Sequence, residues 1–332
     1  MSDAAFQQRY KSLKGLIDHR LTTVVPRGMS RDLLQGSRYV LTAPGKRVRA
    51  TLLLICCEAV GGTITNAVDA ALAIEMLHNF TLVHDDVMDN APSRRGRATV
   101  HVKWSLSNAI LVGDAILGLA YRILLRRPQK QAQRIAHLFT EGFVAVCDGQ
   151  GLDVGFEGRG RVSAKDYYRM IDNKTGRMIA TATELGAVIG EGTPSQVSAL
   201  RKFGMHIGRA FQIQDDLLDV TGDEKELGKS VGGDIVEGKK TFLLVKALEH
   251  VRGNDRDTLF RAATKRPLDQ QRKRRLIKNV TAIYERSGAI DAARRQIRKE
   301  TTAGLRTLQT LPPTDARSML QWFAGKLVQR TF

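Results

Sequence analysis

Between its Gly and Pro residues the chain repeats one rhythm: apolar positions return every three or four residues, with almost no stretch of strict alternation. The segment NAVDAALAIEMLHNFTLVHDDVMD, residues 66–89, carries the pattern at Ala70, Ile74, Leu77 and Thr81-Leu82, the spacing of one helical face. QVSALRKFGMHIGRAFQIQDDLLDV, residues 196–220, repeats it, as do residues 129–150 and 268–310. Breaks are expected at APGK, at Gly61-Gly62, and at GFEGRGRVS, GEGTP, TGDEKELGKSVGGD and LPP. The pattern predicts more than ten helices with short connections and no linker long enough to divide residues 1–332, so a single all-α domain is expected.

Composition narrows this reading. Hydrophobic residues make up 42% of the 332, enough for a sizeable core. The longest apolar candidate, TLLLICCEAV, is cut off by Gly61-Gly62, short of the roughly 20 residues of a membrane span. MSDAAFQQRYKSLKG has no apolar h-region of the kind that targets secretion. Cys56, Cys57 and Cys147 are odd in number and two are adjacent, a poor disulfide framework that suits a reducing cytoplasm. The 52 basic and 34 acidic residues leave a net charge of +18, which points to nucleic acid, an anionic substrate or a membrane surface. With only 6% aromatic residues and no zinc-finger spacing, nucleic acid is disfavoured, and the run QQRKRRLIKN reads as a solvated helix face.

Two acidic clusters carry the chemistry. HDDVMD ends the first long apolar segment and QDDLLD ends the other. On a helix, Asp85 and Asp89 share one face, as do Asp215 and Asp219, while Asp86 and Asp216 lie about 100° around the axis in a supporting place. Oxygen ligands at this spacing suit a hard divalent cation such as Mg²⁺, which keeps waters and shares phosphate oxygens. A lone DDxxD would be a solvated helix end; two, each followed by basic residues, describe a site. Arg94 and Arg95, Lys46 and Arg49 in PGKRVR, Lys174 and Thr175 in NKTG, and Lys229 and Lys239 in GKSVGGDIVEGKKT add the cations for two diphosphates, Arg supplying bidentate contacts and Lys point charges.

The ordered series GKRVR, HNFTLVHDDVMDNAPSRRGRATVH, GQGLDVGFE, NKTG, AFQIQDDLLDVTGD and GKSVGGDIVEGKKT, roughly residues 40–250, resembles the trans-isoprenyl diphosphate synthases of the polyprenyl synthetase family. The resemblance implies helices around a deep central cavity, a homodimer, and three Mg²⁺ ions bridged by an allylic diphosphate. It implies that Asp85 and Asp89, with Asp86 beside them, and Asp215, with Asp219 behind it, serve the metals. Arg94, Lys174, Thr175, Gln212, Lys229 and Lys239 match the allylic diphosphate site, with Lys240 a competitor for the place of Lys239. Lys46, Arg49, His78 and Arg95 match the isopentenyl diphosphate site, and Asp153 a residue that supports the cations. The implied reaction joins isopentenyl diphosphate to dimethylallyl, geranyl or farnesyl diphosphate, by electrostatic help to a leaving diphosphate rather than by a protein nucleophile.

Chain length is read at the fourth and fifth residues before the first motif, Thr81 and Phe80. A helical wheel puts Phe80 off the Asp85 face; the resemblance selects it. One aromatic followed by a small residue resembles the archaeal-type geranylgeranyl diphosphate synthases, whereas farnesyl synthases with this compact motif carry two aromatics. Plain core packing is the competing role for Phe80. Farnesyl or longer-chain synthesis remains an alternative product assignment, and a class I terpene cyclase or a non-catalytic synthase subunit fits less well, because both aspartate clusters are intact. No nucleic-acid partner is expected, and the positive charge leaves room for peripheral membrane contact.

Overall fold

The computed structural model describes residues 2–127, 130–157, 159, 161–222, 231–264 and 269–329. The helices are α1 (Asp3–Leu21), α2 (Arg31–Leu41), α3 (Val48–Ala59), α4 (Ile64–Met88), α5 (Val100–Lys103), α6 (Leu106–Leu124), α7 (Ala132–Phe156) and α8 (Ala164–Ile171). After a π-helical turn, Asp172–Gly176, follow α9 (Arg177–Ile189), α10 (Pro194–Thr221), α11 (Gly233–Glu237), α12 (Phe242–His250), α13 (Gly253–Ala262), α14 (Gln270–Arg286), α15 (Ala289–Thr307) and α16 (Asp315–Gln329). The all-α expectation holds, with one small addition: Ser93–Arg94 and Arg97–Ala98 form an antiparallel hairpin.

Local chemistry explains the main boundaries. Thr193 and Gln196 exchange hydrogen bonds as a capping box and Pro194 occupies the first turn of α10, satisfying amides that the helix itself cannot. Residues 268–310, expected to run as one helical pattern, are split between α14 and α15, because Gly288 adopts φ +72°, where an α-helix cannot continue. Among the described residues the helix long and apolar enough to cross a membrane, by length and composition alone, is α6 rather than TLLLICCEAV. One side of it packs on α4, while Leu106, Ile110 and Leu111 are exposed.

Two apolar clusters build the core. The first centres on α3 and α4, which are buried nearly all round through Ala50–Cys57 and Ala67–Leu77, the signature of central helices. The second gathers α8, α11, α12, α14 and α15. Helices α7 and α10 pass through both, with Phe139 and Phe203 in the first and Phe156 and Ile213 in the second. The ends of α4, α7 and α10 therefore meet where the two clusters adjoin.

The π-turn is held by close backbone approach. A Cβ on Gly208 of α10 would lie 2.6 Å from Gly176 Cα and 3.3 Å from Gly176 N. Gly208→Ala is therefore expected to force α10 off the turn and to destabilise the protein by about 1–3 kcal/mol. Urea denaturation checks this, and a change within a few tenths of a kcal/mol would show that the two backbones are not in obligatory contact.

Candidate active site

A cavity of about 260 Å³ opens where these helices converge. From α4 it receives Asp85 and Asp89, from α7 Asp153, from α10 Gln212 and Asp216, and from α11 Asp234 and Glu237. Four cations line it too: Arg94, Lys174, Lys239 and Lys240. Lys174 Nζ donates to Asp153 Oδ2 at 2.6 Å, and Lys239 Nζ stands 3.5 Å from Asp89 and 3.6 Å from Asp153. Burial pushes the Asp85 carboxyl up to about 6, and its neighbours Asp89 and Asp153 add to that, against the pull of Lys174 and Arg94. Burial acts on Asp153 in the same direction, but Lys174 and Lys239 outweigh it and hold that carboxyl below its ordinary value. Lys239 is in turn held above its usual value, because the pull of Asp153 and Asp89 exceeds the cost of burying it.

The third aspartate of the first cluster turns away. Asp86 is buried at 6% exposure and accepts from Arg94 Nε at 2.6 Å. Arg94 sits on the hairpin, whose turn residues Arg95 and Gly96 have φ of 52° and 73°, the left-handed pair of a type I′ turn. Arg94 thus leaves the last paired position of the hairpin and Arg95 its turn.

On the facing wall the π-turn presents Lys174 and Thr175. Thr175 Oγ1 donates to Gln212 Oε1 at 2.7 Å, and Gln212 Nε2 donates to Asp216 Oδ1 at 3.0 Å. Asp216 Oδ2 also accepts from Tyr167 OH at 2.8 Å and from the Phe242 amide at 2.7 Å. Burial raises this carboxyl to about 6 although all three donors pull it down. Asp215 is half-buried one residue earlier. Asp219 does not reach the cavity wall: it is 1% exposed and its Oδ2 accepts from the Asp234 amide at 2.9 Å. Lys229 lies outside the described residues.

A second, basic corner lies behind the hairpin. Arg49 is pushed down to about 10 by burial and by Arg95, against the pull of Glu75, and its Nε is buried without a hydrogen-bond partner among the described residues. His78 is held well below its ordinary value by burial and by Arg49, Arg95, Arg94 and Arg47, so its imidazole is neutral. Lys46 is exposed at the rim. Arg47, between the two motif cations, points inward instead: it pairs with Asp18 at 2.8 Å and with Glu75 at 3.1 Å and donates to the Leu41 and Ala43 carbonyls.

A third space, about 360 Å³ and mostly apolar, lies between α4 and α7. Phe80, Thr81, His84 and Met88 form one wall and Val146, Cys147, Gly151 and Val154 the other, with Asp85 at the mouth. The Phe80 ring packs on His84 at 4.5 Å and edge-on to Phe143 at 5.6 Å. Gln150 also lines this space, 8% exposed, and neither of its amide atoms has a partner among the described residues. Sequence reasoning passed over Gln150, Tyr167, Asp234 and Glu237. The last two stand within GKSVGGDIVEGKKT, which was read for its lysines alone.

Comparison with known proteins finds relatives over nearly the whole chain. The polyprenyl synthetase family model matches residues 31–280. The short chain isoprenyl diphosphate synthase of Methanothermobacter thermautotrophicus is 38% identical over 316 residues, which cover 95% of each chain. The geranylgeranyl pyrophosphate synthase of Geoglobus acetivorans is 34% identical over 99% of each chain. Among solved structures, geranylgeranyl pyrophosphate synthetase from Pyrococcus horikoshii superposes with a TM-score of 0.92 at 33% identity, covering 98% of this chain and 99% of that one.

Asp216 offers a test of how the facing wall is held. Asp216→Asn puts an amide N–H against a donor on one side or the other, leaving a buried donor unsatisfied at a cost of about 1–3 kcal/mol. Chemical denaturation should show that loss; an equally stable variant would mean that Tyr167, Gln212 and Phe242 do not depend on the carboxylate.

Proposed function

The chain belongs to the polyprenyl synthetase family and is a prenyltransferase, and from that premise we propose that it condenses isopentenyl diphosphate head-to-tail with dimethylallyl, geranyl and farnesyl diphosphates, ending mainly at geranylgeranyl diphosphate. The observation that supports this best is the place of Asp85, which lines both the charged cavity and the mouth of the apolar one. A diphosphate among the carboxylates and cations would lay its hydrocarbon tail along Phe80 and Thr81. Residues 1–332 act as one domain in this reading, and the three unbridged thiols suit a cytoplasmic enzyme.

The donor set fits Mg²⁺. The cavity offers carboxylate oxygens from facing helices, yet among the described residues no three Asp, Glu, His or Cys side chains converge to cage an ion alone. A cation that keeps waters and shares substrate phosphates fits such an arrangement better than one that needs a full protein cage. Asp85 and Asp89 would hold the ions from the cavity wall and Asp215 from α10, where it stands half-buried off that wall, with Asp86 bracing Arg94 and Asp219 fixing α11. Bound there, the ions would neutralise the allylic diphosphate and stabilise the charge that develops as it leaves.

The chain's own groups complete the site. Arg94, Lys174 and Lys239 contact the departing diphosphate, with Thr175 and Gln212 beside them on the facing wall. Arg49, Arg95, Lys46 and the neutral His78 hold isopentenyl diphosphate, so its terminal alkene carbon can attack as the allylic C–O bond breaks. The new C–C bond leaves a cation that loses a proton to the released diphosphate. Phe80, Met88, Val146 and Val154 keep water from the reacting carbons.

We propose further that a second copy covers the apolar face of α5 and α6, where Val102, Leu106, Ile110 and Leu111 are each more than 40% exposed, since an apolar patch of this kind marks an interface. Replacing both Leu106 and Ile110 with Glu should convert a dimer to a monomer in analytical ultracentrifugation. A wild-type protein that already sediments as a monomer would refute the assignment.

Incubation with Mg²⁺, isopentenyl diphosphate and each allylic primer, followed by chromatography of the dephosphorylated products, tests the synthase reading. A mainly twenty-carbon product is expected, and Asp85→Ala should lower turnover by several orders of magnitude. Phe80→Ala should open the pocket to longer chains. Thr81→Phe should stop growth near fifteen carbons, because overfilling an apolar pocket costs about 1–3 kcal/mol. Product formation from allylic diphosphate alone would indicate a cyclase, and an unchanged spectrum in both pocket variants would place the floor elsewhere.

A further inference from the structure

Between residues 270 and 307, α14 and α15 carry eleven basic and three acidic side chains, in a chain whose net charge is +18. On sequence alone this is a solvated face. The structure adds a groove of about 360 Å³ between α13 and α14, lined by Arg261, Arg272 and Arg275 with Thr258, Thr264 and Asn279, and by no carboxylate among the described residues. Asp269 reaches Arg272 at 3.3 Å, but both side chains are mostly in solvent, where such a pair holds weakly. Elsewhere on these helices Arg274 and Lys278 are exposed on α14, and Arg295, Arg298, Lys299 and Arg306 on α15. No aromatic side chain on α14 or α15 is exposed, so the stacking platforms of single-strand nucleic-acid binders are missing.

The position of the groove ties it to the active site. Val236 of α11 lines the groove, while Asp234 and Glu237 of the same short helix line the charged cavity. The two openings are thus separated by the thickness of one helix.

We propose that this groove docks the protein on a membrane surface rich in anionic phospholipid, with its guanidinium forks taking the phosphodiester headgroups. Arginine matches that group bidentately, and clustered cations sum their attraction to an anionic leaflet. The idea rests on the synthase reading only for its purpose: a product with a long apolar tail and a diphosphate head partitions into the surface on which the enzyme sits.

Vesicle sedimentation with the full chain tests it and requires no turnover, so its outcome is separable from that of the synthase assay. Vesicles of phosphatidylcholine and phosphatidylglycerol in equal parts should pellet the protein at low salt, and those of phosphatidylcholine alone should not. Raising the salt to a physiological level should weaken the binding. The triple variant Arg261→Gln, Arg272→Gln, Arg275→Gln should bind on the order of a hundredfold more weakly, at about fivefold for each cation lost. Lys11→Gln, Arg20→Gln, Arg27→Gln removes the same charge from exposed sites elsewhere and should bind nearly as wild type. Circular dichroism and prenyl transfer on soluble substrates report whether each variant is folded.

Four results would overturn the proposal. The groove variant could bind as wild type does. The two triple variants could be weakened equally, so that net charge alone decides. Tighter binding to duplex DNA at the same salt, lost in the groove variant, would make the ligand nucleic acid. Inorganic phosphate that releases the protein no better than chloride of equal ionic strength supports a lipid surface; specific release by phosphate would mark a site for the free anion instead, and so count against the surface.

Discussion

One ammonium group joins the two sides of the acidic cavity. Lys239 Nζ stands between Asp89 at the end of α4 and Asp153 on α7, and Lys174 closes on Asp153 from the π-turn. Without such cations, carboxylates from three helices could not share a partly buried space, since each would raise the pKa of the next until one took a proton. Asp85 is pushed up to about 6 mainly by its burial, and Asp89 and Asp153 add to the rise. The cations thus keep the site open and charged, and they are the same groups that a departing diphosphate would draw upon.

The rest of the architecture can be seen as support for that pairing. Asp216 and Asp219 are consumed by holding neighbours, Tyr167, Gln212 and the amides of Phe242 and Asp234. Asp86 likewise spends its charge on Arg94. Of six aspartates in the two motifs, only Asp85, Asp89 and Asp216 border the charged cavity, and Asp216 is already satisfied by three donors. The repeated motif is therefore less symmetrical in action than in sequence: its first copy faces the cavity, whereas its second also builds the wall.

Legibility followed physical range. Helix α10 was readable because its apolar positions keep a 3.6-residue period, α4 because an apolar stretch of its length is too long for a strand, and the paired Asp clusters because i and i+4 share a face. The break between α14 and α15 was missed because one Gly in a helical pattern is ordinary until its φ turns positive. The hairpin at Ser93–Arg94 is too short to show an alternation. The π-turn at NKTG depends on the approach of Gly149 and Gly208 from two other helices, and no local pattern encodes such contacts. Arg47 illustrates the limit best. In GKRVR all three cations look alike, yet Asp18 and Glu75, distant in sequence, draw this one inward and leave Lys46 and Arg49 for the site.

That division explains why the two diphosphate places should differ in their need for metal. In the charged cavity, cations and carboxylates already offset one another, so a polyanion entering it must either displace the acids or bring counter-charge along. In the basic corner the balance is reversed. Burial and Arg95 push Arg49 down to about 10, and burial together with the surrounding guanidiniums holds His78 well below its ordinary value, both signs that positive charge is costly here. An incoming diphosphate relieves that cost directly, with no metal to neutralise it first. Isopentenyl diphosphate, which keeps its diphosphate through the reaction, suits the corner whose attraction is permanent. The allylic substrate, which must give its diphosphate up, suits the cavity whose attraction depends on ions that can leave with it.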